Sequence, residues 1–398
     1  MYHKLWFILG VLGLAVRIYI IQRASAGDNY YDGEYSMFTD LDYKVYLDAS
    51  LYDSPYGRHT YRYSPLLAYL VSPSYEHGQL FGKYLIACFD LLSCYYIYKI
   101  FANRTRNLIE YKEENQKLGL AVSMFSYLNP FMIYLSTRGS IEGVNCTLAA
   151  SFWYFYFGNE THGNMTPADR RARGLIERQP NLIRKYVSYA IFGLWVHFRV
   201  YPIIFVPLLI MHEYHSVERD RIKHAFKFTV EFGLVSGGVF LGLMGYFYYL
   251  YGYEFLHETY FYHLTRRDDR VTKSVLCYEI YLNFWNDEYV GSLFRVIMRM
   301  LPTLLFLCSF SFYFVRSRSV YYCQGFIVVY FVLFNKVLTD QYYSWLLNAL
   351  ILVFPETTYL QKKQYWSMYG MGMGIFLMMA PAIIAWGVYQ NLFVRMTY

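Results

Sequence analysis

The sequence of 398 residues is poor in charged side chains. Asp, Glu, Lys and Arg together make up 16% of it, against about a quarter in a typical soluble protein. Apolar residues reach 56% and aromatic residues 22%, so a disordered chain and a collagen-like chain are both excluded. The six cysteines form no C-x-x-C pair and show no metal-ligand spacing, which excludes a disulfide-stapled secreted module.

Nucleotide-binding motifs are also absent from the sequence. It contains no Walker phosphate-binding loop. Gly370, Gly372 and Gly374 alternate inside an apolar run, where glycines favour close helix packing over dinucleotide binding. A soluble nucleotide-dependent enzyme is therefore not indicated.

The chain has instead a series of long apolar runs. Roughly 20 such residues span a bilayer as a helix. The runs lie near residues 4–22, 80–99, 118–135, 141–158, 228–250, 289–315, 319–335, 341–357 and 365–393. A further stretch, 186–212, is interrupted by His197, Arg199 and Pro202, which predicts a break at that point.

The basic residues predict the orientation of these runs. They cluster in the connecting segments 99–117, 159–185, 213–227, 316–318 and 362–363, which the positive-inside rule puts on the cytoplasmic side. Segments 159–185 and 213–227 share a side only if 186–212 crosses twice. We therefore predict about 11 spans with a cytoplasmic N-terminus. The net charge of +7 then reflects topology and not nucleic-acid binding.

The predicted fold class is an all-α polytopic membrane protein, with one membrane-embedded domain over residues 1–398. The first run is expected to be a retained helix and not a signal peptide, since Arg17 lies within it. Most polar clusters fall on the far side of the membrane, chiefly in loops 24–79 and 251–288. That distribution favours an enzyme with one aqueous site over a transporter, whose coupling charges lie near the midplane.

Asp40 and Asp42 are the first candidate site residues. Two carboxylates at i and i+2 suit a general base, a cation site or the binding of sugar hydroxyls. The alternative is an acidic turn that caps the next helix. Arg62, between two tyrosines, suits either a phosphate contact or an interfacial anchor.

The other candidates lie further along the chain. His197 and Arg199 stand at the predicted break, where helix ends beside this cationic pair favour an anion site. The alternative is a histidine whose hydrogen bonds are satisfied by its neighbours at the membrane interface. The remaining polar candidates are Arg138 in a tight turn, Tyr262, His263, Arg266 and Arg267 in the second large loop, and Lys336 and Gln341 beyond it.

Several of these motifs resemble those of a known family. They are the segments 38–43, 60–67, 80–83, 128–130, 136–140, 197–202, 259–268 and 334–337, with Gln341 and Tyr342. They occur along the chain in the same order as in the family. They resemble the first mannosyltransferases of glycosylphosphatidylinositol (GPI) anchor assembly, which are C-type glycosyltransferases of the endoplasmic reticulum. The chain departs from the family pattern at Arg199, where lysine is expected.

The resemblance implies a C-type fold with a luminal active site. It implies dolichyl-phosphate-mannose as donor, glucosaminyl-(acyl)phosphatidylinositol as acceptor, an α-1,4 product formed with inversion, and a small membrane partner subunit. Asp40 or Asp42 would be the base, and a divalent metal at this pair stays open. The expected substrate and phosphate contacts are Arg62, Arg138, His197, Arg199, Tyr262, His263, Arg266, Arg267, Lys336 and Gln341. The alternatives are another dolichyl-phosphate-sugar transferase or, more distantly, a polytopic transporter.

Overall fold

The computed structural model describes most of the chain. The described residues are 1–25, 38–103, 112–157, 181–217, 219–265, 293–315, 320–335 and 337–358. Within them the regular structure is helical, with no strand, so the predicted all-α class is confirmed. Residues Met1–Ile351 form one compact unit, and the second unit, Leu352–Tyr398, is described only as far as residue 358.

Fifteen α-helices are named here in chain order among the described residues. They are α1 (Tyr2–Ser25), α2 (Leu41–Ala49), α3 (Pro65–Val71), α4 (Ser74–His77), α5 (Phe81–Asn103), α6 (Lys112–Tyr127), α7 (Pro130–Arg138), α8 (Glu142–Phe157), α9 (Leu182–Phe198), α10 (Val206–Ser216), α11 (Arg221–Leu256), α12 (Tyr262–Thr265), α13 (Leu293–Phe314), α14 (Val320–Leu333) and α15 (Tyr342–Thr358). Short 3-10 helices cover Pro55–Gly57 and Tyr201–Phe205, and a π-helix covers His257–Phe261.

Three of the described helices are long and apolar enough to cross a membrane. They cover Tyr2–Ser25, Phe81–Ala102 and Arg221–Phe261. A bent pair, Glu113–Tyr127 with Pro130–Arg138, makes a fourth if it crosses as one span. Several shorter apolar helices accompany them, as expected of a membrane protein. The count of about 11 spans stays a prediction, and the apolar run 365–393 lies outside the described residues.

The hydropathy of the run at 118–135 predicts one straight helix, but the structure differs there. The run is bent by 50° between α6 and α7. Asn129 caps α7 by accepting a hydrogen bond from the backbone N–H of Phe131 (2.9 Å), and Pro130 occupies the first helical position. Asparagine followed by proline is a helix start signal, and it interrupts the apolar run.

The predicted break in 186–212 is confirmed. Helix α9 ends at Phe198, Arg199 has an extended backbone conformation, and the chain continues as the 3-10 helix before α10 begins at Val206. Pro202 stands near the start of that 3-10 helix, where its missing N–H is tolerated. The break brings Arg199 to the end of a helix and not to its middle.

Helix α1 packs against α5, α6 and α7 through a fully buried arginine. The Nε atom of Arg17 donates to Asp90 (3.3 Å) and to the hydroxyl of Ser136 (3.1 Å). Its guanidinium also donates to the carbonyl of Tyr127 and lies 4.0 Å from that ring. Removing one partner of such a buried pair typically costs about 3–5 kcal/mol. Arg17 therefore joins α1 to α5 through Asp90 and to the last turn of α7 through Ser136, just before the segment 138–140.

Candidate active site

Asp40 immediately precedes α2 and caps it. Its Oδ1 accepts a hydrogen bond from the backbone N–H of Asp42 (3.0 Å), and its own backbone N–H donates to the carbonyl of Arg138 (2.9 Å). The capping alternative drawn from the sequence is therefore correct for one oxygen of this carboxylate. The other oxygen, Oδ2, is turned toward a distant segment of the chain.

Gln341 joins the two aspartates from the far end of the sequence. Its Nε2 donates to Oδ2 of Asp42 (3.1 Å) and, at a longer distance, to Oδ2 of Asp40 (3.4 Å). The motif at 38–43 and the motif at 341–342 thus meet in space. Three residues that the sequence singled out separately form one polar cluster, which we call the acid pair cluster.

The surroundings of Asp40 change its acidity. Burial and the neighbouring charge of Asp42 raise the pKa of Asp40 to about 6, against the opposing effects of Arg138 and Gln341. A carboxylate with that pKa is mostly ionised at pH 7 and holds a proton more tightly than an ordinary aspartate. These are the properties of an effective general base, whose pKa lies near the working pH.

Arg138 supports the segment that carries Asp40. Its Nε donates to the carbonyl of Phe38 (2.8 Å) and its guanidinium donates to the hydroxyl of Tyr134 (2.6 Å). The next residue, Gly139, ends α7 with φ +92°, which glycine adopts without strain. A Cβ atom there would lie 2.6 Å from the ring of Tyr43. The turn therefore requires glycine for both its backbone and its space.

Arg199 is held by a carboxylate that the sequence did not assign to it. Its guanidinium donates to Oε1 of Glu142 (2.6 Å) and lies 5.4 Å from the ring centre of Tyr63. Burial and then the nearby charge of Asp42 raise the pKa of Tyr63 well above its usual range. Tyr63 therefore lies between the Arg199 pair and the acid pair cluster.

His197 is buried, and both ring nitrogens have partners within the protein. Nε2 lies 2.9 Å from the hydroxyl of Ser64, and Nδ1 lies 2.9 Å from the hydroxyl of Tyr260. The ring also stacks on Phe247. The second interpretation of the sequence, a histidine satisfied by its neighbours, describes this geometry. His197 joins α9 to the segments around 64 and 260.

A second cluster forms around Arg62. Its guanidinium pairs with Glu258 and lies 4.4 Å from the ring centre of Tyr262. His263 Nε2 lies 3.1 Å from the carbonyl oxygen of Arg62. The segments 60–67 and 258–263, both prominent in the sequence, are thus in direct contact. Arg62 belongs to this second cluster, while the adjacent Tyr63 lies beside Asp42 of the acid pair cluster. The two clusters therefore meet at consecutive residues.

Three of the predicted site residues lie outside the part of the chain that the structure describes. They are Arg266, Arg267 and Lys336, and their roles stay predictions. Residues that sequence reasoning missed are Tyr63, Glu142 as the partner of Arg199, and Trp345. The available signal for Trp345 was its position one helical turn after Gln341.

A metal at Asp40 and Asp42 also stays a prediction. In the part of the chain that the structure describes, no group of three His, Cys, Asp or Glu side chains is arranged to hold a metal ion. Two carboxylates alone suit a cation such as Mg²⁺, which takes its other ligands from water and substrate phosphate.

The chain from residue 135 onward matches a known protein family. Residues 135–396 match the family described as Mannosyltransferase (PIG-M). The chain belongs to this family. Membership makes it a glycosyltransferase, as the sequence motifs predicted, and the match contains every predicted site residue except Asp40, Asp42 and Arg62.

Individual relatives extend the similarity to the N-terminal part. The GPI mannosyltransferase 1 of Dictyostelium discoideum is 32% identical over 394 residues, covering 92% of this chain and 80% of the relative. The catalytic subunit of GPI alpha-1,4-mannosyltransferase I of Danio rerio is 33% identical over 327 residues, with 80% and 74% covered. The GPI mannosyltransferase 1 of Saccharomyces cerevisiae is 30% identical over 339 residues, with 82% and 75% covered.

Proposed function

We propose that this protein transfers the first mannose in GPI-anchor biosynthesis. The donor is dolichyl-phosphate-mannose, the acceptor is glucosaminyl-(acyl)phosphatidylinositol, and the bond formed is α-1,4. Family membership supports mannosyl transfer, and the names of the relatives support the GPI pathway and the linkage. The observation that carries the proposal is the acid pair cluster, in which a half-buried carboxylate of raised pKa is available for proton abstraction.

We assign the role of base to Asp40. Its Oδ2 takes the proton from the attacking hydroxyl of the glucosamine. The hydroxyl oxygen then attacks C1 of mannose on the face opposite the phosphate, and the bond from C1 to the phosphate oxygen breaks. Dolichyl phosphate leaves with the electron pair, so a β-linked donor gives an α-linked product. Asp42 lies beside the base, and Gln341 orients both carboxylates.

The departing phosphate needs positive charge close by, because charge develops on it in the transition state. Arg62 is the described candidate, since its guanidinium is held on a tyrosine face and keeps a fifth of its surface exposed. Tyr262 and His263 stand beside it, and Arg266 and Arg267 follow within a few residues. This segment forms the phosphate side of the site in our proposal, and the acid pair cluster forms the acceptor side.

The proposed architecture is a C-type glycosyltransferase fold of about 11 spans in the endoplasmic reticulum membrane. The basic loops of the sequence are cytoplasmic in this arrangement and the acid pair cluster faces the lumen, where both lipid head groups lie. A small membrane partner subunit that stabilises the protein belongs to the proposal as well.

The test is an assay in microsomes from cells that lack their own enzyme for this step. The microsomes contain this protein and receive radiolabelled dolichyl-phosphate-mannose with glucosaminyl-phosphatidylinositol. We expect a labelled product that α-mannosidase cleaves, and none with dolichyl-phosphate-glucose as donor. Transfer of glucose, or of mannose to another acceptor only, would overturn the proposal.

The metal is tested in the same assay. If a cation bound at Asp40 and Asp42 takes part, EDTA abolishes transfer and added Mg²⁺ or Mn²⁺ restores it. Full activity in EDTA would show that no cation bound at Asp40 and Asp42 takes part in transfer.

A further inference from the structure

Glu142, the first residue of α8, holds the centre of a buried network. Its side chain is only 2% exposed and accepts hydrogen bonds from three parts of the chain. Arg199 donates to Oε1 (2.6 Å), while the indole N–H of Trp345 (2.5 Å) and the amide of Asn145 (3.1 Å) donate to Oε2. A buried carboxylate with one cation and two neutral donors is fully compensated.

The first arm of this network leads through Trp345. That residue lies four positions after Gln341, so the two are one helical turn apart at the start of α15. The ring of Trp345 also stacks on Tyr201, with centroids 4.1 Å apart and planes inclined by 11°. The polar edge and the face of this tryptophan are therefore both fixed. Gln341, which donates to both aspartates, takes its position from that turn.

The second arm leads through Arg199. Glu142 holds the guanidinium over the ring of Tyr63, and Tyr63 lies beside Asp42. Both arms of the network therefore end at the acid pair cluster, from two different sides. The third donor, Asn145, leads elsewhere: its amide oxygen accepts a hydrogen bond from the indole of Trp195 (2.8 Å) in α9.

We propose that Glu142 is a positioning residue for mannosyl transfer, which acts through Trp345 and Gln341 on the two aspartates. It does not touch the substrate. Its carboxylate fixes the first turn of α15. Gln341 immediately precedes that turn and carries the amide that orients the base. The inference rests on the proposed function and adds to it a residue without an assigned role.

The experiment compares two tryptophans of the same network. Trp345→Phe and Trp195→Phe each remove one indole N–H and keep an aromatic ring. Only Trp345 donates to Glu142 itself and lies one helical turn after Gln341 of the acid pair cluster. We expect Trp345→Phe to lower kcat with little change in KM for the donor, and Trp195→Phe to keep kcat near that of the wild type. Misplacement by about 1 Å costs on the order of 10²-fold in rate.

A double-mutant cycle then tests the route. Gln341→Ala and Glu142→Gln are assayed alone and together, in the microsomal assay described above. If Glu142 acts through Gln341, the second substitution adds little to the loss caused by the first, since residues in one network are not additive. Losses that simply multiply, or equal losses in the two tryptophan variants, would overturn the inference.

Folding is checked on the same samples by thermal unfolding of the detergent-extracted protein. If Glu142→Gln fails to accumulate, the two tryptophan variants and Gln341→Ala carry the test without it. Absence of mannosyl transfer in the wild type would contradict the proposed function, whereas an active wild type with additive losses would contradict only the role of Glu142.

Discussion

At the scale of single residues, Asp40 uses its two carboxylate oxygens differently. Oδ1 caps α2, and Oδ2 accepts a hydrogen bond from Gln341. The two alternatives that the sequence offered, a helix cap and a general base, are therefore compatible in one side chain. A substitution that keeps one function and removes the other separates them.

Asparagine is such a substitution, because it caps a helix about as well as aspartate but is a far poorer base. We expect Asp40→Asn to keep the amount and thermal stability of the protein while mannose transfer falls by about 10²–10⁴-fold. The measurement is transfer in microsomes at matched protein amount, with Asp42→Asn as the companion variant. Full activity in both single variants and in the double variant would remove the pair from the mechanism.

The raised pKa of Asp40 gives the reaction a pH dependence. The base works when ionised, so kcat/KM should fall as the pH drops through about 6. The hydrogen bond from Gln341 favours the ionised form, so Gln341→Ala should move this acid limb to higher pH. The charge of Asp42 disfavours it, so Asp42→Asn should move the limb of the residual activity to lower pH.

These opposite shifts are measured as the pH dependence of kcat/KM in buffers of constant ionic strength. Movement of both limbs in the same direction, or no movement in either variant, would show that another group controls the acid limb.

Much of the site at this scale could be predicted from residue types and motifs. The motifs named Asp40 and Asp42 as candidates for the base and Gln341 as a candidate substrate contact, although nothing in the sequence indicated that the three touch. The partner of Arg199 could not be predicted, because several carboxylates were available and only packing decides which one meets it. The hydrogen-bond partners of the two ring nitrogens of His197 could not be predicted either, because they are Ser64 and Tyr260, which are remote from it in sequence.

At the scale of secondary structure, the turn after α7 positions Asp40, the base in our proposal. Gly139 has a left-handed backbone that costs other residues roughly 1–2 kcal/mol, and its missing Cβ leaves room for Tyr43. We expect Gly139→Ala to lower both thermal stability and transfer, since the turn also accepts the backbone hydrogen bond of Asp40. Gly237→Ala on α11 is the matched control, because its Cβ would meet nothing within 4 Å.

The outcome is read as the melting temperature in detergent and as transfer at a matched amount of protein. Equal behaviour of the two alanine variants would show that the turn tolerates a side chain and does not hold the base.

Helices were predicted well from hydropathy, but their breaks were predicted unevenly. The interruption at 199–202 contains charged residues and a proline within an apolar run, which is a strong signal. The bend at 128–130 rests on one asparagine and one proline between two apolar segments. Hydropathy averaged over a window does not reveal such an asparagine–proline pair. The preference of asparagine and proline for helix starts does predict a break there.

At the scale of the whole molecule, four N-x-S/T sequons test the orientation. They are at Asn103, Asn145, Asn159 and Asn164. Asn145 is buried and hydrogen-bonded to Trp195, and the other three fall in segments predicted to be cytoplasmic. We expect none to carry a glycan, so treatment with an endoglycosidase should leave the gel mobility unchanged.

A positive control places a sequon in the predicted first luminal loop. Leu51→Asn with Asp53→Thr creates one at a site where Leu51 and Tyr52 are exposed, and we expect it to be glycosylated. A glycan on Asn159 or Asn164, with none at the introduced site, would reverse the orientation.

The separation of Gln341 from Asp40 also has a consequence in time. The two lie 301 residues apart, and ribosomes add about 5–20 residues per second. The acid pair therefore exists for roughly 15–60 s before its amide partner has been synthesised. During that interval the nascent chain holds two neighbouring carboxylates without the donor that later bridges them. Catalytic competence is thus one of the last properties the growing polypeptide acquires, and chains truncated before Gln341 should be inserted yet inactive.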